Sequence, residues 1–219
     1  MTHSLPVRVS GYEEPKTVHV QQETGRHRRG VFAVMGLLML AGLACAGHAG
    51  ADARVSDAQG WQEADATPEG RLYHRPMPGS AIPQVLIATR FAAPAAAVYA
   101  VVTDYAHFAD FIPDVAESRI IRVAGDVQWV FHRLHFAGPV ADRVYVMRSV
   151  GRTIGVGAYR VEWALTPEPV PAGEQGIAPR QFSGFWELRT ADDGKTTEAR
   201  YAVQRDRGGR IPVWLVSGM

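Results

Sequence analysis

The stretch PAAAVYAVVTDYAHFADFIPDV, residues 94–115, decides how the rest of the chain is read. Val98, Val101, Val102, Tyr105 and Phe108 recur at helical spacing behind Pro94, whose fixed φ and missing N–H suit a first helical turn. Pro113 ends the pattern. The spacing therefore predicts one helix, or two short ones with a break near Asp104 to His107, set inside a chain that otherwise reads as strands.

On the N-terminal side, RLYHRPM (71–77) and PQVLIATRF (83–91) are strand patterns bracketing the turn PGSA. On the C-terminal side follow ESRIIRVA (117–124), VQWVFHRLHFA (127–137), DRVYVMRSV (142–150), AYRVEWAL (158–165), RQFSGFWELRT (180–190) and TTEARYAVQ (196–204). Gly125-Asp126 and Asp193-Gly194 are hairpin signals, so the sheet is expected to be antiparallel. The one long connection, TPEPVPAGEQGIAPR (166–180), reads either as a functional lid or as a loose surface loop. An order of two strands, a broken helix, six strands and a starting helix leaves an apolar sheet face that something must cover.

The last residues supply the start of a cover. Gly208 and Gly209 break the final strand, Pro212 suits a first helical turn, and Ile211, Trp214 and Leu215 share a helical face. Ile211 to Met219 would span only ~13 Å, against roughly 30 Å for a helix of 20 residues. An incomplete C-terminal helix is therefore expected.

At the other end, Arg26, Arg28 and Arg29 precede the apolar run Val31–Ala46, followed by small residues with A-x-A spacing. That is the layout of a secretory signal peptide over residues 26–51. The alternative is an inner-membrane anchor formed by residues 31–49, close to the roughly 20 apolar residues a span requires. Residues 1–25 show no apolar periodicity and read as a disordered extension, leaving 52–219 as one domain. The expected location is periplasmic or secreted.

The 219-residue chain carries 23 basic and 22 acidic residues, and residues 1–51 hold five of the former and three of the latter. The remainder is nearly neutral, which argues against nucleic acid as a partner. Cys45 is the only cysteine, so no intrachain disulfide can form. Metal, nucleophile-elbow and phosphate-loop motifs are missing, and no cofactor is expected. His132 and His135 lie three apart on a strand and point to opposite faces, a poor metal pair.

Taken in order, several stretches resemble the START domain, within the superfamily that includes polyketide cyclases and coenzyme Q-binding proteins. Trp61 with Gly70–Pro83 resembles its opening strand and turn, and residues 93–121 its helix pair. DRVYVMR resembles its "DRD" strand with Val144 where an acid often stands, and residues 185–216 its closing strands and final helix entry. The resemblance implies an α+β helix-grip fold, a curved antiparallel sheet around an apolar cavity gripping a C-terminal helix. It implies non-enzymatic binding and transport of a lipid, sterol or quinone, with possible transient membrane contact and an oligomeric state the sequence does not give. A cyclase or aromatase-type enzyme and a truncated non-functional copy are the alternatives.

On the alternating strands one face is apolar, and ligand contacts are expected from Phe108, Phe111, Val130, His132, Tyr145, Tyr159, Trp163, Trp186, Tyr201 and Trp214. Arg143 and Arg148, five apart on one strand, face opposite sides, so only one can reach a cavity; the spacing leaves open which, and Arg148 is carried as the candidate.

Overall fold

The computed structural model describes residues 59–67 and 70–206. The N-terminal extension, the signal or anchor segment and the terminal helix with Trp214 lie outside the described residues.

Three strands open the fold: β1 (Gln62–Thr67), β2 (Gly70–Met77) and β3 (Ser80–Phe91). Two short helices follow, α1 (Ala95–Val102) and α2 (Phe108–Phe111), separated by a 3-10 turn over Tyr105–His107. Six further strands complete it: β4 (Val115–Ala124), β5 (Val127–Leu134), β6 (Arg143–Gly155), β7 (Ala158–Leu165), β8 (Gln181–Thr190) and β9 (Thr197–Asp206). They form one curved, open sheet in the order β1-β2-β3-β9-β8-β7-β6-β5-β4, with every neighbouring pair antiparallel. The sequence reading expected eight strands. β1 is the addition: its residues 62–66 are exposed and its QEADAT run lacks the apolar alternation that marks a strand, and pairing with β2 makes it one.

Between the two proposed forms of the helical segment, the structure has the broken one. Pro94 sits at the N-cap in extended backbone, and α1 presents Ala95, Val98, Val101 and Val102 to the sheet. Ile112, which precedes Pro113, is already extended, as the proline ring demands. Each fully buried valine of this kind contributes roughly 1.5–3 kcal/mol.

The helices lie on the inner face of the sheet. There the main core gathers Val98, Tyr105, Phe108, Val130, Tyr145, Met147, Val161, Trp163, Phe182, Trp186, Leu188 and Tyr201, among others. The outer face carries two smaller clusters. Trp61, Tyr73, Leu86, Ala88 and Ala202 form one, and Phe131, Val144 and Val146 the other. Arginine–carboxylate pairs fill the space between, such as Arg160 bridging Glu162 and Glu187 at 2.9 and 3.1 Å.

The segment 166–180 is neither a lid on the inner face nor a loose loop. Glu174 pairs with Arg119 at 2.7 Å and with Arg133, Glu168 pairs with Arg122, and Val170 packs on the outer cluster of Phe131, Val144 and Val146. Backbone bonds between Ile177 and both Asp142 and Val144 join it to the start of β6. It is a strap across the outside of β4, β5 and β6, and proline-rich composition alone does not distinguish the two faces.

Candidate functional site on the inner face

Strand alternation places the aromatic residues. On β5, Gln128, Val130, His132 and Leu134 face inward; on β6, Arg143, Tyr145, Met147, Ser149 and Gly151 do so opposite them. Trp163 from β7, Phe182 and Trp186 from β8 and Tyr201 from β9 continue the same face. Their rings touch in series. Phe111 meets Phe108 at 5.5 Å between centroids, Phe108 meets His132 at 5.9 Å, and His132 meets Tyr145 at 5.3 Å. Tyr145 then meets Phe182 at 5.4 Å, Phe182 meets Trp163 at 6.1 Å, Trp163 meets Tyr201 at 5.8 Å, and Tyr201 meets Trp186 at 4.6 Å. The contacts range from stacked through tilted to edge-to-face, and those between Phe, Tyr and Trp are worth about 0.5–1.5 kcal/mol each beyond burial.

Two polar atoms in this seam have no partner among the described residues: His132 Nε2 and Trp163 Nε1. The other ring nitrogen of His132 is hydrogen-bonded to the Tyr145 hydroxyl at 3.1 Å. Burial lowers the His132 pKa to about 3, so the imidazole is neutral at ordinary pH. Tyr201 is pushed up to about 12 by burial. Tyr105 is also raised to about 12 by burial, against a lowering contribution from its hydrogen bond to Ser149 at 2.6 Å. A buried polar atom left unpaired costs about 1–3 kcal/mol, so His132 Nε2 and Trp163 Nε1 are the hydrogen-bonding positions left open in this part of the core among the described residues.

Of the residues expected from the sequence, Phe108, Val130, Tyr145, Trp163, Trp186 and Tyr201 lie in the inner core, Phe111 and Tyr159 pack against it, and His132 is buried between Phe108 and Tyr145. Trp214 lies outside the described residues. Arg148 is a correction: it is exposed on the outer face, paired across strands with Trp129 and Ala164. The inner arginine is Arg143, only 1% exposed, which donates to the Ala141 carbonyl and sits 5.8 Å from the Phe136 ring. The sequence reading omitted Phe182, whose alternation with Trp186 and Leu188 carried the signal, and the hydroxyl pair of Tyr105 and Ser149, which the helix break brings together across 44 residues.

An open antiparallel sheet with two short helices on its inner face and an aromatic, partly unsatisfied lining defines a START-like protein of the helix-grip class. The chain belongs to the family described as polyketide cyclase / dehydrase and lipid transport, which matches residues 91–219. A STAR-related lipid transfer protein fragment from Xanthomonas axonopodis superposes with a TM-score of 0.59 at 26% identity, covering 73% of this chain and 89% of that one. Human STARD10 shares the fold with a TM-score of 0.60 at 16% identity, over 73% of this chain and 66% of that one. The uncharacterized protein PA1579 of Pseudomonas aeruginosa is 24% identical over 160 residues, 73% of this chain and 79% of its own length. The fold is one that binds hydrophobic small molecules, and the family spans both carriers and cyclases.

Proposed function

We propose that this protein binds and carries one hydrophobic molecule on the inner face of its sheet, without transforming it. The observation that carries the reading is the pair of unpartnered polar atoms, His132 Nε2 and Trp163 Nε1, set in a continuous aromatic seam. A mostly apolar surface with a few placed polar groups is the composition of a small-molecule site. Trp163 can only donate, so the ligand must offer an acceptor such as an ester, ketone or quinone oxygen.

Binding is favoured over catalysis by the acidities of the buried groups. General acid–base work is most effective with a pKa near the operating pH. His132 near 3 and Tyr201 near 12 both stand far from neutrality. Incubation of delipidated protein with lipid, sterol and quinone analogues tests the reading. Saturable uptake with quenching of tryptophan fluorescence is expected; a protein that takes up none of them would not be such a carrier.

We also read residues 26–51 as an export signal, which would set this carrier in the periplasm or outside the cell. A mature N-terminus between Gly47 and Arg54 is expected from N-terminal sequencing; a mature chain that keeps residues 31–46 would be an anchored one instead.

A further inference from the structure

At one end of the aromatic seam a cavity of about 340 Å³ opens between α1, the 3-10 turn and the ends of β5 and β6. Tyr99, Tyr105, Asp126, Gln128, Ser149 and Gly151 line it. Its volume holds about ten water-sized groups. Gln128 lies four residues from His132 on the same face of β5, about 13 Å away at ~3.3 Å per residue. Gly151 lets the Tyr99 hydroxyl lie against β6, where a Cβ would meet it and displace the ring.

Proton bookkeeping at the wall is lopsided. The Gln128 Oε1 is buried and receives no hydrogen bond among the described residues. The Asp126 carboxylate, in the turn between β4 and β5, forms no ion pair among them, and its charge helps raise the Tyr99 pKa after burial has done most of the work. Tyr105 and Ser149 satisfy each other across 2.6 Å. The cavity thus presents a carboxylate, an amide oxygen and tyrosine faces, all of which favour a cation carrying N–H donors. A phosphate or carboxylate would meet Asp126 as a like charge. A quaternary ammonium would leave Gln128 Oε1 without a donor.

We propose that this cavity binds a primary ammonium group of ethanolamine size, directed at Asp126 and Gln128. The group belongs either to a lipid headgroup, whose chains then lie along the seam, or to a free small amine. The headgroup form rests on the carrier reading above; the amine site itself does not.

The test uses the full chain and ethanolamine, choline and ethylene glycol as probes, read by amide NMR shifts. Ethanolamine should move the Gly151 amide and the Gln128 side-chain amide saturably. Ethylene glycol and the Asp126→Asn variant, which each remove one partly exposed charged contact, should weaken binding about fivefold, and choline, which keeps its charge but has no N–H to give Gln128 Oε1, by a similar factor. Absent shifts, or equal affinity for all three probes, overturns the proposal. Asp126 sits in an exposed turn, so its variant is expected to fold even where Gly151→Ala, which crowds Tyr99 out of place, does not. A second arm offers the protein vesicles of equimolar phosphatidylethanolamine and phosphatidylglycerol and identifies the extracted lipid by mass spectrometry. Enrichment of phosphatidylethanolamine assigns the ammonium to a headgroup. Ethanolamine shifts with both lipids extracted equally assign it to a free amine. Ethanolamine shifts with no lipid extracted uphold the amine site and overturn its headgroup form, while the carrier reading falls only if sterol and quinone analogues are refused as well.

Discussion

Trp163 lies over Gly184, its cross-strand partner on β8, with no room between them for a methyl group. A Cβ at position 184 would stand 2.6 Å from Trp163 Cζ2 and would also collide with the Ala202 carbonyl. The glycine therefore sets the height of the indole above the sheet, and with it the direction of the unpartnered Nε1. Gly184→Ala is expected to cost about 1–3 kcal/mol through overpacking. It should also alter the near-ultraviolet circular dichroism of the tryptophans. A variant with unchanged melting temperature and spectrum would show that the indole is not held this way.

His132 makes stability depend on pH. Its folded pKa is lowered from 6.5 to about 3, so below 6.5 the unfolded chain takes up a proton that the folded chain refuses. The stability contributed by the neutral buried ring is full above pH 6.5 and falls toward pH 3, at up to about 1.4 kcal/mol per pH unit. Urea melts between pH 6.5 and 5, above the carboxylate range, should show a steeper loss for the natural protein than for His132→Gln. His107 and His135, paired with Asp104 and Asp142, are present in both and cancel in the comparison. Parallel pH dependences would mean that His132 titrates normally.

The two arginines of β6 separate cleanly. Arg148 is exposed on the outer face, and Arg148→Ala should change stability by no more than about 0.5 kcal/mol. Arg143 is buried and bonded to the Ala141 carbonyl, and truncating it removes that bond and opens a void beside Phe136. Arg143→Ala should cost about 2 kcal/mol or more, read as a shift in the urea midpoint. Equal effects for the two would contradict the assignment of faces.

Much of this was legible in the sequence because strands alternate with a period of two. Tyr159, Val161 and Trp163, and Phe182, Trp186 and Leu188, announced the inner face, and Pro94 and Pro113 bounded the helical segment. The same period showed that Arg143 and Arg148 part company, but not which was inside, because that depends on which β6 face meets α1 and α2. β1 is not legible because residues 62–66 are exposed and its strand state comes from pairing with β2. The strap of residues 166–180 was ambiguous because its anchors, Arg119, Arg122 and Arg133, are more than 30 residues earlier in the chain. Short-range pattern carries no information about such pairs.

The strap is held chiefly by Glu174, which reaches both Arg119 and Arg133. Glu174→Ala should raise amide exchange across residues 170–178 while lowering global stability by only about 1 kcal/mol, since Arg119 and Arg133 stay partly exposed. Unchanged exchange in that segment would show that the backbone bonds of Ile177 suffice to hold it.

We propose above that the inner face holds one hydrophobic molecule through the seam around His132 and Trp163. Native mass spectrometry of the full chain, purified without detergent and compared with a Trp163→Phe variant, reads such a complex by its mass. One co-purifying apolar molecule per chain is expected in the natural protein, with a lower occupancy in the variant, whose ring cannot donate a hydrogen bond. A natural protein that carries no ligand and takes none up from added lipid, sterol or quinone would contradict it.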